Sequence, residues 1–156
     1  MAGRFLFEAE PRQVVALVDR DPTMRIDRTT SALLDFGQGR QLSFTVSTQC
    51  TFYQRVQICG TRGRIEMQIP FNAPQGEHAP IFIDDGSSLD GKNITTEVLA
   101  PCDQYTLEAE AFSRAVRGDI PLPYGLDDAL MNTHIIDALF RSEKSGRFEK
   151  VSSTFV

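Results

Sequence analysis

The sequence predicts an α+β fold: an open, mainly antiparallel β-sheet with two C-terminal helices packed on one of its faces. Two observations support this class. The front of the chain contains short segments in which apolar and polar residues alternate, and the back contains two longer segments with helical spacing of apolar residues. With 156 residues the chain suits one domain with its own core, which we expect over residues 1–151, followed by a tail at 152–156.

Composition narrows the class of protein. The chain is 41% hydrophobic, which argues against disorder, and it contains no apolar run near the roughly 20 residues that cross a membrane. Its net charge of −5 argues against nucleic acid as the main partner. Cys50, Cys59 and Cys102 are odd in number and far apart, which is typical of free thiols in a reducing cytoplasm.

Two hairpins are predicted in the front of the chain. Residues 14–18 form an apolar run typical of a buried strand, and residues 29–36 form a second strand that ends at a Gly-Gln-Gly turn. In the strand that follows, Leu42, Phe44 and Val46 alternate with Ser43, Thr45 and Ser47. The second hairpin joins residues 55–58 and 65–69 through Gly60 and Gly63.

A glycine- and proline-rich excursion follows at residues 71–94, with one short strand expected at 81–83 and another at 95–99. Asp103 is the expected N-cap of a helix that runs to about Arg117, with Gly118 just past its end. The last helix is predicted from about Leu126 to Glu143, and Gly146 suits its termination.

The chain lacks the residue patterns of the common catalytic and cofactor sites. Its glycines lie in hairpin turns, so no Gly-rich strand–turn–helix can bind a dinucleotide, and we assign no catalytic, cofactor-binding or metal-binding residue. The charged loop with Arg25, Asp27 and Arg28, together with Phe71, is the candidate substrate-lining set. An arginine can offer its planar fork to substrate oxygens, and Phe71 can stack on an apolar ring face. A salt-bridged surface loop is the alternative interpretation.

Several segments, taken in order, resemble the C-terminal domain of the glucose–fructose oxidoreductase/inositol dehydrogenase family. The similar segments, over roughly residues 4–151, are TSALLDF at 30–36, ICGTRGRI at 58–65, IPF at 69–71, YTLEAEAFSRAVRG at 105–118 and DALMNTHIIDALFRSEKSG at 128–146. The resemblance implies a preceding Rossmann domain that binds NAD or NADP. Members of that family also carry a Lys-Pro dipeptide and a catalytic Asp, with a His or Tyr, on the helix that opens the second domain. No lysine of this chain precedes a proline, and Arg4 to Glu8 is similar to the tail of that helix.

The resemblance therefore implies the substrate-binding and oligomerisation domain of an NAD(P)-dependent dehydrogenase acting on a sugar or polyol, inactive as an isolated chain. A free-standing binding or scaffold module with the same fold is the alternative. We expect a homodimer through the open sheet face, with an ordinary hydrated face on a monomer as the other possibility. The residues expected on this dimer face are Ser43, Thr45, Ser47, Tyr53, Arg55 and Gln57.

Overall fold

The computed structural model describes residues 2–152, so residues 153–156 of the expected tail lie outside the described residues. In chain order, the elements are α1 (Ala2–Phe7), β1 (Gln13–Arg20), β2 (Asp27–Gly37), β3 (Arg40–Ser47), β4 (Arg55–Gly60), β5 (Gly63–Gln68), β6 (Ala79–Asp84), β7 (Ile94–Leu99), α2 (Gln104–Val116), α3 (Leu126–Ser145) and β8 (Glu149–Lys150). They fall into two compact units. The first runs up to Cys50 and resumes at Pro123, and the second is Thr51–Leu122.

The first unit contains a four-stranded antiparallel sheet in the order β3-β2-β1-β8. The β2–β3 turn requires left-handed backbone, and Gly37 and Gly39 supply it with φ of 74° and 78°. Because side chains alternate along a strand, one face of this sheet is apolar and covered by α3 while the other is open. The buried core between the sheet and α3 consists of Val14, Ala16, Ala32, Leu34, Phe36, Ile135, Ala138 and Leu139.

Polar side chains fix α1 to α3 within this unit. The Arg4 guanidinium donates to both Glu10 carboxylate oxygens at 2.7 Å, and to Asp128 Oδ1 and Asn132 Oδ1 at 2.5 and 3.1 Å. These hydrogen bonds, with the carboxylate charges of Glu10 and Asp128, raise the pKa of Arg4, against the opposing effect of burial. Asp128 therefore serves this ion pair as well as the positive end of the α3 dipole.

The second unit contains a four-stranded antiparallel sheet in the order β4-β5-β6-β7, and α2. The Asp103 carboxylate accepts from the backbone N–H groups of Tyr105 and Thr106 at 3.0 and 3.3 Å, which confirms the predicted N-cap. No residue of α2 is buried. One face of the sheet is apolar; it carries Val56, Ile58, Ile65, Met67, Ile81 and Ile83.

The α+β class and the open, antiparallel sheets are confirmed, but the strands form two sheets where the sequence predicted one. Alternating residues identify the faces of each strand and the partner within a hairpin. They do not specify whether β4 pairs with β3 across the intervening residues 48–54, and in the structure it does not. The short strand β8 was not predicted, because two residues are too few to show alternation.

Candidate functional site

The β1–β2 connection brings three of the four predicted substrate-lining residues, Arg25, Asp27 and Arg28, into one short segment. The loop is closed by two backbone hydrogen bonds, from Asp21 N–H to the Ile26 carbonyl at 2.8 Å and from Arg25 N–H to the Asp21 carbonyl at 2.9 Å. Asp21 Oδ1 also accepts from the next two turn amides, at 2.9 and 2.7 Å. This exposed loop therefore has a defined backbone conformation.

The charged side chains of the loop differ in how they are engaged. The Arg28 guanidinium pairs with Asp19, 2.9 Å from Nη2 to Oδ2, so its charge is already balanced. Within residues 2–152, the Arg25 guanidinium and the Asp27 carboxylate make no hydrogen bond or short ion pair. Arg25 and Asp27 are therefore the two groups of the loop that remain available to a ligand with hydroxyl or carboxylate groups.

The backbone at Arg25 is held by a residue that the sequence did not point to. Arg20 binds Glu143 in a bidentate pair, with both N···O distances at 2.6 Å, and its third nitrogen donates to the Arg25 carbonyl at 2.9 Å. The Arg20 guanidinium also lies over the Phe140 ring, 5.0 Å from its centroid. The hydrogen bonds between the two side chains lower the pKa of Glu143 and raise the pKa of Arg20. Sequence patterns missed this contact because Arg20 and Glu143 are 123 positions apart.

Phe71, the fourth predicted substrate-lining residue, belongs to the second unit and follows β5. Phe71 is 58% exposed, so its aromatic side chain is open to solvent. Its backbone is fixed on both sides: the N–H donates to Gln54 Oε1 at 3.3 Å, and the carbonyl accepts from Gln104 Nε2 at 3.2 Å. An exposed ring on a fixed backbone is suited to stacking.

The open face of the first sheet carries the β3 part of the expected dimer surface. In register across the sheet lie the rows Val15–Leu33–Ser43 and Leu17–Ser31–Thr45. Leu17 is 80% exposed in the middle of this face, and the Ser31 and Thr45 hydroxyls are 2.8 Å apart. The face therefore combines exposed apolar side chains with small hydroxyl-bearing ones, which suits close packing against another surface. Ser47 continues the face, its hydroxyl 2.7 Å from that of Thr29.

Tyr53, Arg55 and Gln57, the remaining residues of the expected dimer surface, lie in the second unit. Arg55 pairs with Glu66, 3.3 Å from Nε to Oε1, and Gln57 donates to the other Glu66 oxygen at 3.0 Å. Arg55 also lies over the Tyr53 ring, 5.1 Å from the centroid. The expected surface is thus divided between two sheets, with Ser43, Thr45 and Ser47 on one and Arg55 and Gln57 on the other.

Among residues 2–152, no three His, Cys, Asp or Glu side chains are grouped to hold a metal ion. Every helix of this range is too short or too polar to cross a membrane. Cys50, Cys59 and Cys102 are exposed free thiols.

Comparison with known proteins extends this description. The profile of the oxidoreductase family, C-terminal alpha/beta domain, matches residues 3–152. An uncharacterised oxidoreductase of Rhizobium meliloti, ORF334, is 43% identical over 150 residues, which cover 96% of this chain and 45% of that protein. The chain therefore belongs to the glucose–fructose oxidoreductase/inositol dehydrogenase family, as its C-terminal α/β domain.

Solved structures share the fold. An aldose–aldose oxidoreductase from Caulobacter crescentus, complexed with glycerol, superposes with a TM-score of 0.74 at 19% identity, covering 96% of this chain and 44% of that one. KijD10, a 3-ketoreductase from Actinomadura kijaniata in complex with NADP and TDP-benzene, gives a TM-score of 0.78 at 20% identity, covering 90% of this chain and 42% of that one. The chain thus spans less than half the length of the relatives it matches.

Proposed function

We propose that this chain is the substrate-binding and oligomerisation domain of an NAD(P)-dependent oxidoreductase that acts on a sugar or polyol. The observation that carries the proposal is the match of residues 3–152 to the C-terminal domain of an oxidoreductase family. NAD or NADP is bound by a separate Rossmann domain, and the isolated chain is inactive. The three free thiols support a cytoplasmic protein.

Arg25 and Asp27 offer the chemistry that a polyhydroxylated substrate requires. A guanidinium donates to hydroxyl or carboxylate oxygens and a carboxylate accepts from hydroxyl groups, and neither side chain makes a hydrogen bond or short ion pair among residues 2–152. In the second unit, the exposed Phe71 offers an aromatic face of the kind that packs on the apolar side of a sugar ring. Arg28, whose guanidinium is paired with Asp19, belongs to the same segment as Arg25 and Asp27 and is a further proposed substrate-lining residue. The structure of the Caulobacter aldose–aldose oxidoreductase contains glycerol, a polyol, which supports ligands of this class.

The subunit interface is assigned to the open face of the first sheet. Leu17 and Thr45 lie in one cross-strand row there, and burying exposed apolar surface against a second copy is favourable by about 25 cal/mol per Å². Light scattering over a dilution series tests this part. A mass near twice 17.4 kDa at micromolar concentration supports the dimer, and a mass near 17.4 kDa contradicts it.

Enzyme assays of the full-length protein test the substrate class. We expect reduction of NAD or NADP with one or more aldoses or polyols, and a raised KM for Arg25→Ala, Asp27→Ala, Arg28→Ala and Phe71→Ala. Unchanged kinetics in all four variants would refute the assignment of these residues. The 156-residue chain serves as the inactive control.

A free-standing binding or scaffold module with the same fold is the second candidate, and the exposed Leu17 on the open face of the first sheet suits a binding surface. The reading frame upstream of Met1 discriminates between the two. A glycine-rich strand–turn–helix in frame supports the oxidoreductase, and a stop codon immediately upstream supports the module.

A further inference from the structure

The loop between β1 and β2 holds one residue in an unfavourable backbone conformation. Arg25 has φ of 61°, in the left-handed region, which is unfavourable for a non-glycine residue and persists only where the surrounding structure holds it. The Asp21 backbone hydrogen bonds close the loop through the Arg25 N–H and the Ile26 carbonyl, and they do not involve the Arg25 carbonyl. The Arg25 carbonyl is bound instead by the Arg20 guanidinium, at 2.9 Å.

The Arg20 guanidinium can hold this carbonyl only if its own position is fixed. Glu143 of α3 fixes it with two hydrogen bonds of 2.6 Å, and the Phe140 ring of the same helix packs against its face at 5.0 Å. A bidentate pair fixes the plane of the guanidinium as well as its distance, which a lysine does not do. The chain of contacts therefore runs from α3 through Arg20 to the backbone of Arg25.

The Arg25 side chain is charged and lies at the exposed tip of the loop. Glu143 pairs with Arg20, and the Arg25 guanidinium makes no hydrogen bond or short ion pair among the described residues, so Arg25 presents its positive charge to solvent. The side chains on either side of Arg25 are exposed as well: Met24 is 69% and Ile26 53% exposed. The loop tip thus displays a guanidinium between two apolar side chains on a fixed backbone.

We propose that Arg20 and Glu143 are positioning residues: they hold the Arg25 backbone so that its guanidinium points at the oxygens of a hydroxyl- or carboxylate-bearing substrate. This inference rests on the proposed function, because Arg25 must line the substrate site. Neither residue touches the substrate. Their effect on the enzyme passes through the conformation of residues 21–26.

Amide hydrogen exchange on the 156-residue chain tests the positioning directly. We expect the Asp21 and Arg25 amides, which close the loop, to exchange about tenfold faster in Glu143→Gln and in Arg20→Lys. Lys144→Gln changes one charge at the next position of α3 and serves as the matched control, with exchange as in the natural chain. Unchanged exchange in both Glu143→Gln and Arg20→Lys overturns the proposal.

Kinetics of the full-length enzyme separates positioning from general stability. Glu143→Gln is expected to raise KM about fivefold or more with kcat nearly unchanged, and Arg25→Ala is expected to raise KM as well. Glu143→Asp, which keeps the carboxylate, is expected to have a KM between those of Glu143→Gln and the natural enzyme. A lowered kcat at unchanged KM contradicts the proposal. If Arg25→Ala leaves KM unchanged while exchange is fast in Glu143→Gln, the substrate role of Arg25 in the proposed function is wrong. The proposal that Arg20 and Glu143 position Arg25 for a substrate is then wrong as well.

Discussion

Removal of one buried hydroxyl, in Ser142→Ala, is expected to destabilise the first unit strongly. Ser142 is fully buried on α3, and its Oγ accepts from the Ala16 N–H at 3.0 Å while donating to the Arg147 carbonyl at 2.8 Å. Strand β8 pairs with β1 only at Gln13 and Val14, so the Ala16 N–H has this hydroxyl in place of a strand partner. One side chain thus satisfies the backbone of both β1 and the α3–β8 connection.

The magnitude follows from the two groups left without partners. An unsatisfied buried donor or acceptor costs about 1–3 kcal/mol, and we expect a total loss of about 2–4 kcal/mol because the loop carbonyl can reach water. A loss of that size lowers the Tm of a chain this long by about 5–15 °C. Urea unfolding followed by circular dichroism measures it, with Ser145→Ala, an exposed serine of the same helix, as control. A loss below about 0.5 kcal/mol, or no faster exchange at the Ala16 amide, would show that the reasoning is wrong.

Three further perturbations test other parts of the account. Gly63→Ala is expected to destabilise the second sheet by more than about 2 kcal/mol, because Gly63 has φ of 150° and an added Cβ would lie 2.2 Å from the Asp84 carbonyl oxygen. Gly60→Ala, whose Cβ would meet nothing closer than 3.6 Å, is the control in the same urea titration, and equal losses would contradict the prediction. Because Arg20 lowers the pKa of folded Glu143, this pair stabilises the fold above the pKa of the unfolded state, and the contribution is lost as pH falls towards the lower folded value. Stability should therefore decline more steeply on acidification in the natural chain than in Glu143→Gln, and parallel curves would contradict this. Thr45→Glu should convert the dimer to folded monomers in light scattering, since two carboxylates would meet at the interface, whereas the exposed turn variant Thr61→Glu should not. An intact Thr45→Glu dimer would place the interface elsewhere.

Local patterns predicted most of the elements. Alternation predicted β3, β4 and β5 and their two faces, and Asp103 and Gly146 marked a helix start and a helix end that the structure contains. These features depend on neighbours within a few residues of one another, which is the range over which a single sequence is informative.

Contacts between distant segments could not be predicted in this way. Two pairs of partners, Arg20 with Glu143 and Ala16 with Ser142, come together only because α3 packs against β1. Neither pair produces a periodic pattern in the sequence that could have predicted it. The division into two sheets likewise depends on whether β3 and β4 pair, which the loop between them does not encode. Of the candidate site, the sequence indicated the charged loop. The structure showed that Arg28 is paired with Asp19, whereas Arg25 makes no hydrogen bond or short ion pair among the described residues.

Calorimetric titration with NADP(H) and NAD(H) tests the central claim most directly, because that claim assigns cofactor binding to a domain outside this chain. We expect no binding heat from the 156-residue chain and micromolar or tighter binding by the full-length protein, with the affinity unchanged in Arg25→Ala. Micromolar binding of either cofactor by the isolated chain would contradict the account.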